Sequence, residues 1–228
     1  MGENDRFDDV YDDKFELDEP EIGEHGVEPA DSHALDEMVE GVDKEDVDIE
    51  GLLEVGLNYI DINRFEQAIE TFERGLRFAE DNQELWINKG VAHSEMEEFQ
   101  EAIGAYREAL NINPKSTEAA QAYVNLAFAK HELGQAEDVL QDLNNAIDIE
   151  NRLPEAWYNK AFFLNERGRH EDALRAAENA ISLGFRNAVT LEEKARALEG
   201  MEEYEEAESV REEVRETQEE DVREAMRE

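Results

Sequence analysis

The sequence repeats itself with a period of 34 residues from about residue 49 onward. Within this region, apolar and small residues recur every three or four positions in segments that short polar turns separate, which is typical of amphipathic helices. The clearest copy runs from Trp86 through Gly90, Ala102 and Tyr106 to Pro114. The equivalents of Trp86 in the other copies are Leu52, Tyr123, Trp157 and Leu191. Such a period predicts paired antiparallel helices stacked in one continuous array.

The register of the copies is regular except at one place. Three extra residues separate the second copy from the third, near residues 116–119. We therefore predict an array over residues 49–228 that ends in a Glu- and Arg-rich capping helix. Its five repeats are predicted near 49–82, 83–116, 120–153, 154–187 and 188–221.

Turn residues fit this division of the chain. Gly134 and Gly168 fall between the helices of a pair, where a left-handed residue commonly ends the first helix, and Asn63 stands at the same place in the first copy. Pro114 and Pro154 fall between repeats, where a helix must stop or start. The turns and the period predict the same helix boundaries.

The spacing of Trp86, Gly90, Ala102, Ala109 and Pro114 closely resembles the tetratricopeptide repeat. This resemblance covers about 170 residues of the chain. It implies an all-α fold, a right-handed superhelix of about five helix-turn-helix repeats whose first helices line a concave groove. It also implies a scaffold or adaptor that binds another polypeptide, and no enzyme.

Residues 1–48 have a different composition, with runs of acidic residues, Pro20, Pro29 and no sustained helical period. We predict a mostly disordered acidic arm, because such a segment has too few apolar residues to form a core. A short docking motif within the arm is the alternative to a solvating tail. Its apolar residues would be Phe7, Val10, Tyr11 and Phe15.

The net charge of −40, from 62 acidic and 22 basic residues, argues against partners that need a basic surface. We therefore expect no nucleic-acid and no membrane partner. The acidic, lysine-poor composition resembles proteins of extreme halophiles, and the alternative is that the acidic surface steers a basic partner. Neither a transmembrane segment nor a signal peptide is recognisable, so we expect a cytoplasmic protein.

Catalytic and metal-binding patterns are not found in the sequence. The chain has no cysteine, and its five histidines lack the spacing of metal ligands. No phosphate-binding glycine loop or nucleophile elbow occurs, and paired carboxylates carry little information in so acidic a chain. We expect no catalytic residue, no metal and no cofactor.

The resemblance implies that two positions on the first helix of each repeat face the groove. These positions are apolar in four repeats: Leu53, Leu57, Ile87, Val91, Val124, Phe128, Tyr158 and Phe162. An exposed apolar stripe on so polar a protein predicts an occupant, either an amphipathic helix or an extended peptide with apolar anchors. Phe128 and Phe162 are the candidate anchors because they are central and aromatic. Alternatively, tight curvature or the N-terminal arm covers the stripe.

Three asparagines occur at the same offset in different repeats: Asn88, Asn125 and Asn159. An amide can bond a peptide main chain of any sequence, although asparagine is also common here in the general repeat consensus. A receptor for a terminal carboxylate would need basic side chains in the groove, and this groove is apolar. The recurring lysines are expected near the helix-pair seam instead: Lys89, Lys160 and Lys194.

The alternative function is a structural protein that self-assembles through its end repeat or its C-terminal helix. The C-terminal helix carries a sparse apolar stripe that could seat a partner helix: Val210, Val214, Val222 and Met226. The sequence leaves the oligomeric state open, with a monomer as the favoured state.

Overall fold

The computed structural model describes residues 47–135 and 138–225, with side chains up to residue 219. This part of the chain forms ten helices, and most of the predicted arm, residues 1–46, lies outside the described residues. The helices are α1 (Ile49–Asp61), α2 (Phe65–Phe78), α3 (Gln83–Glu95), α4 (Phe99–Ile112), α5 (Thr117–Glu132), α6 (Val139–Ile149), α7 (Pro154–Glu166), α8 (His170–Ser182), α9 (Ala188–Gly200) and α10 (Tyr204–Ala225). None of these helices combines the length and apolar character needed to cross a bilayer.

The helices pack in the order in which they follow along the chain. Each helix contacts the next one along the chain. The ten helices form five antiparallel hairpins, the first from α1 and α2 and the last from α9 and α10. The odd-numbered helices also contact one another, from α1 to α3 and onward to α9. They therefore form an inner layer, and the even-numbered helices form an outer one. The predicted all-α solenoid of stacked helix pairs is confirmed.

The turn within each hairpin contains one residue with a left-handed backbone. The φ angles of Asn63, Gly134 and Gly168 are 57°, 69° and 67°, as predicted. Glu97 and Glu202 occupy the equivalent places with φ of 60° and 65°, which was not predicted. In each turn the next amide N–H donates to the carbonyl five residues earlier, at 2.8–2.9 Å. This hydrogen bond closes the helix in the manner of a Schellman motif.

The three extra residues between the second and third copies lengthen α5. This helix has 16 residues, whereas α3 and α7 have 13 each. Ser116 caps the added turn, because its Oγ accepts a hydrogen bond from the Ala119 amide at 3.0 Å. The insertion therefore extends one helix at its N-terminus without disturbing the pairing that follows.

Small residues allow the two helices of a hairpin to approach each other. A Cβ added to Gly56 would lie 2.2 Å from the Phe72 ring, and one added to Gly90 would lie 2.5 Å from the Tyr106 ring. Later hairpins have alanine opposite a smaller side chain: Ala127 with Leu143, and Ala161 with Ala177. Across these four hairpins glycine faces the largest side chains and alanine faces smaller ones, and this compensation in size keeps the packing dense.

Aromatic side chains join the cores of successive hairpins. Trp86 packs against the cluster of the first hairpin and against that of the second. Trp157 packs in the same way between the third and fourth hairpins. Neither hairpin could cover its apolar face alone, so the array is stabilised by contacts between neighbours.

Candidate binding groove

One row of predicted groove residues is accessible along the inner layer. It has one member on each of the first four inner helices: Leu57, Val91, Phe128 and Phe162. The side chains of Leu57 and Phe128 are 38% and 45% exposed, and those of Val91 and Phe162 are half-buried. Phe128 is the most exposed phenylalanine among the described residues. This row forms an accessible apolar surface along the inner helices.

The second predicted row is largely covered. Ile87 and Val124 are only 7% and 4% exposed and belong to the clusters between repeats, whereas Leu53 and Tyr158 are half-buried. The cause is the direct contact between successive inner helices, which covers side chains on that flank. The structure therefore places Ile87 and Val124 in the core, where they offer little surface to a ligand.

Neighbouring rings hold the groove aromatics in place. Phe128 meets Phe99 edge-on, with centroids 6.1 Å apart, and Phe162 meets His131 at 5.6 Å. Such edge-to-face pairs are favourable geometries for aromatic rings. Because these rings are already ordered, the protein would lose less side-chain entropy on binding a ligand than it would with freely rotating rings. The sequence alone did not indicate Phe99 or His131 as supporting residues.

Tyr158 is supported from outside the inner layer. Its ring lies 5.9 Å from that of Phe185, which follows α8. Burial raises the pKa of Tyr158, and the charge of Glu193 acts in the same direction. The phenol therefore stays protonated and can donate a hydrogen bond at neutral pH.

The three asparagines differ in their hydrogen bonds. Asn88 Nδ2 donates to the Glu84 carbonyl at 2.9 Å, and Asn125 Oδ1 accepts from Gln121 Nε2 at 3.2 Å. Asn159 makes no side-chain hydrogen bond to any residue that the structure describes. Each amide therefore retains at least one donor or acceptor for a ligand.

The apolar row ends at the fifth hairpin. Arg196 stands where the earlier repeats have Phe128 and Phe162, and its Nη2 lies 2.8 Å from Glu166 Oε1 on α7. This hydrogen bond raises the pKa of Arg196. An ion pair between α7 and α9 therefore limits the apolar surface to the first four hairpins.

The C-terminal stripe is partly used by the fold itself. Val210 and Val214 are 7% and 8% exposed and pack with Leu191 and Leu198 of α9. Val222 and Met226 lie beyond the described side chains. The described part of the stripe covers the last inner helix and so has little surface left for a partner.

Sequence models of the tetratricopeptide repeat match two segments of the chain, residues 84–116 and 49–82. A curated relative is the small glutamine-rich tetratricopeptide repeat-containing protein 2 of Saccharomyces cerevisiae, 28% identical over 86 residues. That match covers 38% of this chain and 24% of the yeast protein, so the chain corresponds to about a quarter of its relative.

Solved structures show the same fold at low sequence identity. A chain of MamA from Desulfovibrio magneticus RS-1 that begins at its residue 41 superposes with a TM-score of 0.66 and 14% identity, over 78% of this chain and 97% of that MamA chain. PilF of Pseudomonas aeruginosa gives 0.67 and 19%, over 74% and 76%, and YrrB gives 0.61 and 17%, over 82% and 91%. This chain therefore contains tetratricopeptide repeats, at residues 49–82 and 84–116, within an all-helical solenoid.

Proposed function

We propose that the protein is an interaction scaffold that binds a helix or an extended peptide of a partner protein in its inner groove. The observation that carries this proposal is the exposure of Phe128, 45%, in the middle of an apolar row on a chain with a net charge of −40. Fully burying one such side chain contributes about 1.5–3 kcal/mol. Because Phe128 is already more than half covered, a partner with apolar anchors would gain part of that energy at this side chain and more at its neighbours.

Two further features support a polypeptide ligand. Tetratricopeptide solenoids present extended concave surfaces of the kind that bind peptides. YrrB, which has the same fold, is described as a TPR protein with an unusual peptide-binding site. In this chain the amides of Asn88, Asn125 and Asn159 would bond the partner's main chain, and the phenylalanines would hold its apolar side chains. Binding of this kind needs no catalytic residue and no cofactor.

Photo-cross-linking tests the proposal directly. A benzoylphenylalanine replaces Phe128 in one variant and Leu133 in the other. Leu133 is the matched control, because it is 39% exposed but lies at the turn after α5. Cross-linked peptides are then identified by mass spectrometry in native extract at high salt. We expect one recurrent peptide from position 128 and none from position 133. Identical cross-linked peptides at the two positions would contradict the groove.

Self-assembly through the first repeat is a second candidate function, favoured by one observation. Val55 is 46% exposed, whereas the equivalent Lys89 and Lys194 contact the outer helix of the preceding hairpin through Glu73 and Glu178. The described residues include no helix before α1 that covers Val55. A second copy of the chain could supply this cover by extending the stack.

Sedimentation of the wild type and of Val55→Lys separates the two functions. Three of the four later repeats carry lysine at this place, and the third carries Leu126, so the variant should fold. Self-assembly predicts a concentration-dependent dimer for the wild type and a monomer for Val55→Lys. A wild type that remains monomeric at tens of micromolar removes this candidate and leaves the groove proposal unaffected.

A further inference from the structure

A cavity of about 310 Å³ lies on the outer side of the array, away from the groove. Outer helices α6 and α8 form its walls, and inner helix α7 forms its floor. Its apolar lining includes Trp157 and Leu164, and its charged lining consists of Lys160, Arg169, Arg175 and Asp172. The cavity therefore combines an aromatic floor with three cations and one carboxylate.

The positive charges in this cavity are only partly neutralised. Asp172 accepts hydrogen bonds from Arg169, with Nε at 3.0 Å, and from Arg175, so two guanidinium groups share one carboxylate. The Lys160 ammonium instead donates to the Asn144 side-chain oxygen at 2.7 Å and lies 5.2 Å from the centroid of the Trp157 ring. An excess of positive charge thus remains in a chain whose net charge is −40.

Lysines at the equivalent position of two other repeats each face a carboxylate, which Lys160 lacks. Lys89 Nζ lies 2.6 Å from Glu73 Oε1, and Lys194 Nζ lies 3.6 Å from Glu178 Oε1. Asn144 stands where those glutamates stand, 16 residues before Lys160. Of these three lysines, only Lys160 faces a neutral amide where the other two face a carboxylate.

The electrostatic surroundings of Lys160 agree with this geometry. Burial lowers the pKa of the Lys160 ammonium, and the more distant carboxylates of Asp148 and Asp172 act in the opposite direction. Arg169 also lowers it. A bound anion would therefore give this ammonium a close negative charge, which its neutral hydrogen-bond partner Asn144 does not supply.

We propose that this cavity binds a small oxyanion, a phosphate or carboxylate group, with the Lys160 ammonium as its central donor. Arg169 and Arg175 would contact the anion from the mouth of the cavity, and the Trp157 ring would lie beneath it. Charge-assisted hydrogen bonds of this type are short and strong. Since the overall field of the protein repels anions, binding would depend on these close contacts rather than on long-range attraction.

The two tryptophans of the chain provide a reporter and a matched control. Trp86→Phe leaves Trp157 to report on the cavity, whereas Trp157→Phe leaves Trp86 beside the paired Lys89. Inorganic phosphate and succinate are titrated separately in buffer of constant chloride, by fluorescence and by calorimetry. We expect a saturable response of Trp157 to at least one anion, and none of Trp86. The preferred anion distinguishes a phosphate site from a carboxylate site.

Asn144→Glu is the decisive variant, because it introduces the carboxylate that Lys89 and Lys194 already contact without loss of the fold. We expect Asn144→Glu to remain helical and to bind the anion at least tenfold more weakly than the wild type. We expect the same loss of affinity for Lys160→Met. Equal affinity of the wild type and Asn144→Glu would overturn the proposal. So would the absence of a saturable response to both anions in fluorescence and in calorimetry.

Discussion

At the scale of single residues, two glutamates have a backbone conformation that favours glycine. Glu97 and Glu202 have φ of 60° and 65°, and Gly134 and Gly168 occupy the equivalent turns. An L-residue with a side chain pays about 1–2 kcal/mol for this conformation. The hydrogen bond from the Glu98 amide to the His93 carbonyl, 2.9 Å, holds the turn in place despite that cost.

Replacing Glu97 by glycine should therefore stabilise the protein. We expect the free energy of unfolding to rise by up to about 1 kcal/mol, less than the full strain because glycine also gains entropy in the unfolded chain. Urea denaturation followed by circular dichroism measures this change. Glu101→Gly, in the first turn of α4, removes the same charge and should destabilise by about 1 kcal/mol. A loss of stability in Glu97→Gly would show that the turn is not strained.

One ion pair is buried within the third hairpin. Lys130 Nζ lies 2.5 Å from Asp142 Oδ2, and both side chains are only 9% exposed. Burial raises the pKa of Asp142 above its ordinary value, and Lys130 counteracts this rise. Removing the lysine should therefore leave a buried carboxylate that resists ionisation.

Lys130→Met should lower the free energy of unfolding by about 3–5 kcal/mol at neutral pH. The pKa of Asp142 is higher in the folded than in the unfolded state, so protonation at lower pH favours the folded form. We expect the variant's deficit relative to the wild type to shrink as pH falls toward the raised pKa. Urea denaturation of the wild type and the variant at several pH values measures this difference in the free energy of unfolding.

The double variant Lys130→Met, Asp142→Leu is the control for this pair. It removes both charges and should recover most of the lost stability without any special dependence on pH. A deficit of the single variant that stays constant with pH would mean that Asp142 does not titrate in the way described.

At the scale of helix pairs, the seam between α3 and α4 depends on Gly90. A Cβ at this position would lie 2.5 Å from the ring of Tyr106, which is 1% exposed, so the packing around it would have to shift. We expect Gly90→Ala to destabilise by about 1–3 kcal/mol in thermal or urea unfolding. The third hairpin already combines alanine with leucine at these places, Ala127 with Leu143.

Tyr106→Leu in the Gly90→Ala background should therefore recover part of the loss. The double variant should be more stable than the sum of the two single changes predicts, because the leucine leaves room for the new methyl group. If the two changes in the free energy of unfolding simply added, the sizes of the side chains at positions 90 and 106 would not limit each other.

Much of this architecture was predictable from the sequence. The 34-residue period predicts the helix pairs, and Gly134 and Gly168 predict the left-handed residues of two turns. Glu97 and Glu202 carry no such signal, and their turn geometry follows only from the hairpin around them. The groove was harder to predict. The repeat pattern places a side chain on one face of its helix, whereas contact with the next inner helix decides whether it is covered. Ile87 is therefore buried while Phe128 is exposed.

At the scale of the whole molecule, the net charge of −40 opposes compactness. The screening length falls from about 10 Å at 0.1 M salt to about 3 Å at 1 M, so added salt should raise the thermal midpoint. Scanning calorimetry in increasing potassium chloride measures this. A rise that continues beyond molar salt would support a salt-rich habitat, and a plateau below it would indicate screening alone. A midpoint independent of salt would contradict the charge argument.

The measurement that tests the central claim most directly is the affinity of the peptide that cross-links at position 128. Fluorescence anisotropy compares the wild type, Phe128→Glu and Leu133→Glu, each verified as helical. We predict at least tenfold weaker binding for Phe128→Glu, about 1.4 kcal/mol or more, and binding within about twofold of the wild type for Leu133→Glu. Equal affinity of all three proteins would contradict binding in the groove.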